Sequence, residues 1–239
     1  HDAAMQLYRQ YLVVGGMPEC VMQFAETKDY ILVRHTQDTI LASYINDMSK
    51  YNNLNLHVHT QYSILDGFSS ISTLFDRAEE MGMPALAITD HGNMYGVKEF
   101  FKFAGKHVDK ATGHFKVKPI IGCEVYVTRH YDPKIKDSEH RSYYHLILLA
   151  KNFDGYKNLM KIVSLGHIEG LYYGKPRVSH EIIEKYHENL ICCSACLAGE
   201  IPKNIVAGKM DEARKAIEWH RNVFGDDYYL EVMLHKTEV

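Results

Sequence analysis

Two histidines separated by one residue, His57 and His59, close the apolar-alternating run Leu54-Asn55-Leu56 and lead into a turn that carries Asp66 and Gly67. On an extended chain, residues i and i+2 point to one face, so both imidazoles are presented together to whatever that face lines. That geometry suits a metal ion. An isolated His-x-His is more often a solvent-facing pair on a strand edge. The balance shifts because further candidate ligands recur downstream: Asp90 and His91 before Gly92, then Glu124, His145, Cys196 and His235. Taken singly, each has a structural reading: Asp90-His91 a capping turn, Glu124 an ion-paired edge residue, Cys196 a small buried thiol. Taken together, imidazole, thiolate and carboxylate suit zinc, manganese or iron better than magnesium, which favours an all-oxygen shell. So many ligands imply more than one ion.

The elements that must position them form an α/β pattern from Asn52 onward. Ile71, Leu74, Phe75, Ala78 and Met81 make one helix face ending at Gly82, and Pro84–Thr89 reads as a short buried strand. A helix over 95–106, a strand over 119–127, a charged loop over 132–141 and a strand over 144–149 follow. Then come a helix over 156–164, a Gly-rich loop at 170–174, a helix over 181–186 and a strand over 190–193. A helix with Asp211 as its N-cap runs to Gly225, and Tyr228–Val232 reads as the last strand. Six strands alternating with helices predict a parallel barrel or open sheet with a site at the C-terminal strand ends. His57 and His59 end the first strand, Asp90 and His91 the second; Glu124 lies in the third, and Cys196 and His235 follow the last two. His145 departs from the scheme, because it stands at the beginning of its strand.

Residues 1–51 read as helical, with Ile40, Leu41, Tyr44, Ile45 and Met48 in one apolar stripe and a break at Gly15-Gly16-Met17-Pro18. No G-x-x-x-x-G-K-[ST] phosphate loop occurs, which argues against ATP as a ligand. No run approaches the length of a membrane span and no signal peptide opens the chain, so a cytoplasmic protein with no membrane partner is expected. Five cysteines in 239 residues are too few and too uneven for a disulfide framework. A formal charge of -3 leaves any nucleic-acid contact to a local site.

The wording Leu56-His57-Val58-His59-Thr60, Gly82-Met83-Pro84-Ala85-Leu86-Ala87-Ile88-Thr89-Asp90-His91-Gly92-Asn93, Lys118–Glu124, Lys175-Pro176-Arg177-Val178 and Ser194–Ile201 resembles the PHP (polymerase and histidinol phosphatase) domain of bacterial DNA polymerase III alpha subunits. The resemblance runs from residue 53 to 239 and implies a distorted, incomplete (β/α)7 PHP barrel behind an all-helical appendage. It implies metal ligands at His57, His59, Asp66, His91, Glu124, His145 and Cys196, with His235 near the site. Asp90 becomes a residue that orients an imidazole, and His57, His59, Asp66, Asp90 and His91 become the catalytic positions. Up to three zinc or manganese ions, or iron, are implied for a complete domain, and fewer for this chain, since the family's closing Asp-x-His motif would follow Val239. The implied function is that of a fragment of a replicative polymerase: a metal-dependent phosphoesterase acting on DNA 3′ ends as a 3′–5′ exonuclease, with other replicase subunits as partners. A silent structural metal module and a phosphatase of the histidinol phosphate type are the alternatives. Within 1–51, Tyr11–Glu19 and Tyr44–Tyr51 resemble part of the C-terminal helical region of a family of bacterial AAA-type ATPases.

Overall fold

The computed structural model describes residues 26–29, 31–32, 54–64, 66–129 and 131–231. Of the N-terminal segment, residues 26–27 and 31–32 are helical and 28–29 are not; the remainder of the expected appendage, like His235, lies outside the described residues. The sheet is organised on β2 (Lys118–Thr128), eleven residues whose last eight are buried on every side. Its alternating Ile, Val and Tyr residues favour an extended chain.

One edge of β2 is shared by three parallel pieces in succession. β1 (Ala85–Ile88) pairs Ala85 with Lys118 through Ile88 with Ile121, a single bridge then joins His91 to Glu124, and β5 (Lys175–Ser179) continues from Tyr126 opposite Arg177. The other edge holds β3 (Tyr144–Ala150), antiparallel, with Glu124 opposite Ile147 and Tyr126 opposite His145. Beyond it β6 (Leu190–Cys193) is antiparallel to β3, and β7 (Tyr228–Tyr229) is parallel to β6. The chain at 54–59 lies along β1, where the amides of Ala87 and Thr89 donate to Asn55 O and Val58 O at 3.0 and 2.9 Å. Helices α1 (Ile71–Glu80), α2 (Val97–Ala104), α3 (Phe153–Ile168), α4 (His180–Tyr186), α5 (Glu200–Val206) and α6 (Met210–Phe224) complete the described residues. The main core packs Phe75 on Phe100 and fills the space beneath with Leu86, Leu148, Leu159 and Ile162.

Several expectations need correction. The sheet is mixed, not parallel, because β3 reverses direction. The run through Leu54–His57 is extended but carries one bridge in place of a full strand. The Gly-rich loop is the turn of a hairpin between β4 (Leu171–Tyr172) and β5: Tyr173 and Gly174 both have positive φ, 47° and 72°, as a two-residue hairpin turn requires. Lys209 is the residue before α6, while Asp211 sits inside its first turn and pairs with Arg214 at 3.1 Å. The last strand stops at Tyr229, and α5 follows directly on the Cys196 turn. A cleft of about 1550 Å³ opens between the 54–57 segment and Tyr229–Glu231, lined by Val97, Phe101, Ile120 and Leu149.

Arg177 on β5 ties the loop before β3 to the sheet. Its side chain is 1% exposed, and it donates to the carbonyls of Gly170, Pro133, Ile135 and His140 at 3.2, 2.7, 2.9 and 2.5 Å. Removing it leaves these carbonyls short of a donor, each costing on the order of 1–3 kcal/mol if it stays buried. Arg177→Met should therefore destabilise the chain by about 3 kcal/mol or more in urea unfolding and make residues 132–141 the first site of proteolytic cleavage. Unchanged stability and cleavage would show that the loop holds itself.

His220 on α6 is 2% exposed. Its Nδ1–H donates to Ala216 O at 2.7 Å, its ring stacks on Tyr228, and burial pushes its pKa down to about 4. Because the unfolded chain takes up this proton near pH 6.5 and the folded chain only near 4, stability falls as pH drops through that window, by up to about 3 kcal/mol. His220→Phe should remove that component, so the wild-type and variant unfolding curves should diverge between pH 6.5 and 4. Parallel pH profiles would assign the acid sensitivity elsewhere.

Candidate metal centre

The described ligand candidates converge on Glu124. Its carboxylate is 1% exposed, and its two oxygens face different donors. Oε2 lies 3.3 Å from His57 Nε2, 3.0 Å from His59 Nε2 and 3.1 Å from His91 Nδ1. Oε1 lies 2.7 Å from His145 Nδ1 and 3.7 Å from Cys196 Sγ. The strand geometry explains each placement. His91 is brought by its bridge to Glu124, and His57 and His59 come on the segment beside β1. His145, which seemed to start its strand on the wrong side, comes on the antiparallel strand, whose beginning lies where the parallel strands end.

Two turns fix the remaining groups. In the 60–67 turn the Asp66 and Gly67 amides donate to Ser63 O at 2.9 and 2.8 Å. A Cβ on Gly67 would fall 2.0 Å from Thr60 O, so only glycine lets this turn close and hold Asp66 beside His91. The Asp66 carboxylate is 54% exposed and lies 3.0 Å from His91 Nε2. After β6, Ala195 takes the left-handed conformation at φ 61°, which costs on the order of 1 kcal/mol for a residue with a Cβ and turns Cys196 back toward Glu124 and His145.

Asp90 differs from expectation. Among the described residues its carboxylate hydrogen-bonds to no imidazole: its oxygens accept from Thr60 N at 2.6 Å, Thr60 Oγ1 at 2.8 Å and Ser63 Oγ at 2.7 Å. Ser63 carries the effect onward, lying 3.3 Å from His59 Nδ1 and accepting from His91 N at 3.1 Å. Two groups were missed from the sequence. Glu231 holds His57 Nδ1 at 2.6 Å, its own amide donating to Ser194 Oγ at 2.8 Å. Tyr126 lies parallel to His91, at 5.8 Å between centroids and 7° between planes. A carboxylate just past the last strand and an aromatic ring two residues beyond Glu124, on the same strand face, were the available signals.

The donor chemistry fits metal ions. The Nε2 atoms of His57 and His59 stand 3.0 Å apart, and His91 Nδ1 is buried without a hydrogen-bond partner. Three imidazole nitrogens crowd one carboxylate oxygen, and one cation accepts lone pairs from all of them, which a single proton cannot. Among the described residues, three sets have donor atoms within 4.8 Å of one another: His57, His59 and Glu124; His59, Asp66 and His91; and His91, Glu124 and His145. Burial and the two carboxylates set the charges of these groups. Burial pulls on the Glu124 carboxyl in the upward direction, yet hydrogen bonds from His145, His57 and His59 hold it well below the usual carboxylate range. Burial draws His57 down, but Glu124 and Glu231 outweigh it and hold the imidazole up to about 9. Burial lowers the pKa of His91 and raises that of the Cys196 thiol.

Replacing a residue that orients a ligand commonly costs about 10- to 100-fold in metal affinity. Glu231→Gln and Ser63→Ala should each weaken zinc or manganese binding by that range in competition with a chelating dye, without unfolding the chain. Wild-type affinity in both would remove these side chains from the ligand support.

Residues 55–235 match the PHP domain family, and residues 5–64 match a family described as a domain of unknown function (DUF8612). The DNA polymerase III subunit alpha of Borreliella burgdorferi is 45% identical over 183 residues, covering 76% of this chain and 15% of the relative. That of Treponema pallidum is 46% identical over 192 residues, covering 79% and 16%, and that of Deinococcus radiodurans 41% over 189 residues, covering 75% and 13%. The chain thus spans about a sixth or less of the length of these relatives. A solved structure from Bifidobacterium adolescentis, described as a candidate metal-dependent phosphoesterase, covers 46% of this chain and 32% of its own with a TM-score of 0.32 and 18% identity. No helix among the described residues is long and apolar enough to cross a membrane.

Proposed function

Because this chain belongs to the PHP domain family, we propose that it is a metal-dependent phosphoesterase domain of a replicative DNA polymerase, hydrolysing phosphodiester bonds at DNA 3′ ends. The observation that carries the reading is the divided Glu124 carboxylate, one oxygen toward His57, His59 and His91 and the other toward His145 and Cys196. In this reading those residues and Asp66 hold zinc or manganese, with iron a third choice, and His235 keeps its place in the ligand set from the resemblance alone. Bound ions would supply an activated water and neutralise charge on the attacking and leaving oxygens. The chain's own residues set the stage for that. Glu231 and Ser63 aim His57 and His59, Asp90 anchors the turn through Thr60 and Ser63, and Asp66, the most exposed donor, faces the entering substrate. Water adds to phosphorus, the bond to the 3′ oxygen breaks, and that oxygen takes up the proton.

Residues 1–51 are proposed as a separate helical appendage that supplies no ligand and binds no ATP; the family matched over residues 5–64, one of unknown function, lends the AAA-type ATPase resemblance no support. The domain itself then spans 53–239. DNA and other replicase subunits are the proposed partners, in the cytoplasm. The test is release of a labelled 3′ nucleotide from single-stranded DNA with Mn²⁺ or Zn²⁺, with the protein-bound metal measured. Chelation should abolish release, and Glu124→Gln should slow it by at least about 100-fold. No release from a metal-loaded chain would make the centre a structural module, and much faster turnover of a phosphomonoester than of DNA would make it a small-molecule phosphatase.

A further inference from the structure

Two lysines flank the metal centre, each one aromatic ring away from an imidazole. Lys175 Nζ stands 4.8 Å from the centroid of Tyr126 and donates to its hydroxyl at 3.0 Å. Lys203 Nζ stands 5.6 Å from the centroid of Tyr143 and donates to that residue's carbonyl at 2.8 Å. Tyr126 lies parallel to His91, and Tyr143 lies parallel to His145 at 5.9 Å and 4°. The two tyrosines meet edge to face at 4.9 Å and 71°. The result is two stacks of cation, phenol and imidazole that diverge from a common corner.

Neither lysine is neutralised by a carboxylate, whereas five other described lysines are. Lys116, Lys134, Lys151, Lys157 and Lys215 all pair with carboxylates. Among the described residues neither Lys175 nor Lys203 does. An ammonium has three donors, and each of these two spends one on a neutral oxygen, so two per lysine remain for an anion. The fold holds both in place: Lys175 opens β5, which pairs with β2 beside Tyr126, and Lys203 sits on α5, which the Cys196 turn launches. The rings separate the cations from the metal ligands, so the lysines are placed to hold phosphates adjoining the reacting one.

We propose that Lys175 and Lys203 are positioning residues that grip neighbouring phosphates of a single-stranded oligonucleotide as its end enters the centre. This rests on the phosphodiester reading above and adds to it that the substrate is held at more than one phosphate. The experiment uses the full 239-residue chain, freed of metal by a chelator so that no cleavage intervenes, and follows the fluorescence anisotropy of a labelled oligothymidylate across KCl concentrations. Lys175→Gln and Lys203→Gln should each lower the slope of log affinity against log salt by about 0.7, and the pair should weaken binding by about tenfold or more. Lys→Arg at each position should restore both, and unfolding midpoints and metal uptake should stay at wild-type values. A double variant with wild-type affinity and slope overturns the clamp and leaves the phosphoesterase reading standing; so does a wild-type chain that does not bind the oligonucleotide yet cleaves it when metal is restored. Lysine-dependent binding with no cleavage in metal sinks the phosphoesterase reading and keeps the clamp.

Discussion

A carboxylate buried in the middle of the central strand is the constraint that the rest of the molecule answers. An ionised group taken out of water costs several kcal/mol unless opposite charge and hydrogen bonds surround it. Glu124 is buried to 1% exposure, so the chain must deliver its partners from several directions at once. β2 manages this by using both edges at the same level. On one side the parallel chain brings His91 opposite Glu124, and on the other the antiparallel β3 brings His145 two residues from the position facing it. The 54–59 segment beside β1 and the turn after β6 deliver the remaining donors. A purely parallel sheet would carry the start of β3 to the far end and leave Oε1 without its imidazole.

Around the donors lies a layer that fixes their angles without contributing to the converging set. Asp90 binds the 60–63 turn through three hydrogen bonds, and the Ser63 hydroxyl extends that hold to both His59 and the His91 backbone. Glu231 is itself positioned by Ser194 before it meets His57. Such chains matter because an imidazole that can rotate loses its aim, and metal sites weaken steeply when their orienting bonds are removed. Arg177 works at longer range, tying down the loop whose end becomes Tyr143 and His145.

The elements most legible in the sequence were those with strong periodicity or punctuation. The helix ending before Gly82 and the strands through Ile88, Val125 and Cys192 stand within a few residues of their predicted bounds, because apolar spacing and a positive-φ glycine report local preference directly. The donor set was legible because side-chain chemistry does not depend on register. Strand direction was not legible: nothing local in Tyr144–Ala150 says whether it runs with or against β2, and that alone made His145 look misplaced. Glu231 escaped notice because one carboxylate near a strand end has no pattern until the partner imidazole stands 2.6 Å away. The Tyr173-Gly174 turn was read as a loop, since its hairpin signal comes from two positive φ angles and tyrosine seldom adopts one.

His91 stands where two of the donor sets meet. His57 and His59 are each held at Nδ1 and present Nε2 alone, so each has one direction to offer. His91 is held by its faces, stacked between His59 at 4.2 Å and Tyr126 at 5.8 Å, and this leaves both nitrogens free to point opposite ways. Nε2 meets the exposed Asp66, and Nδ1 meets the buried side of Glu124. A neutral imidazole has only one nitrogen with a lone pair, the other carrying hydrogen. With Nε2–H donating to Asp66, the lone pair at Nδ1 faces the buried set of His91, Glu124 and His145. With the hydrogen on Nδ1, Nε2 joins the exposed set of His59, Asp66 and His91. One neutral ring therefore cannot complete both sets at once.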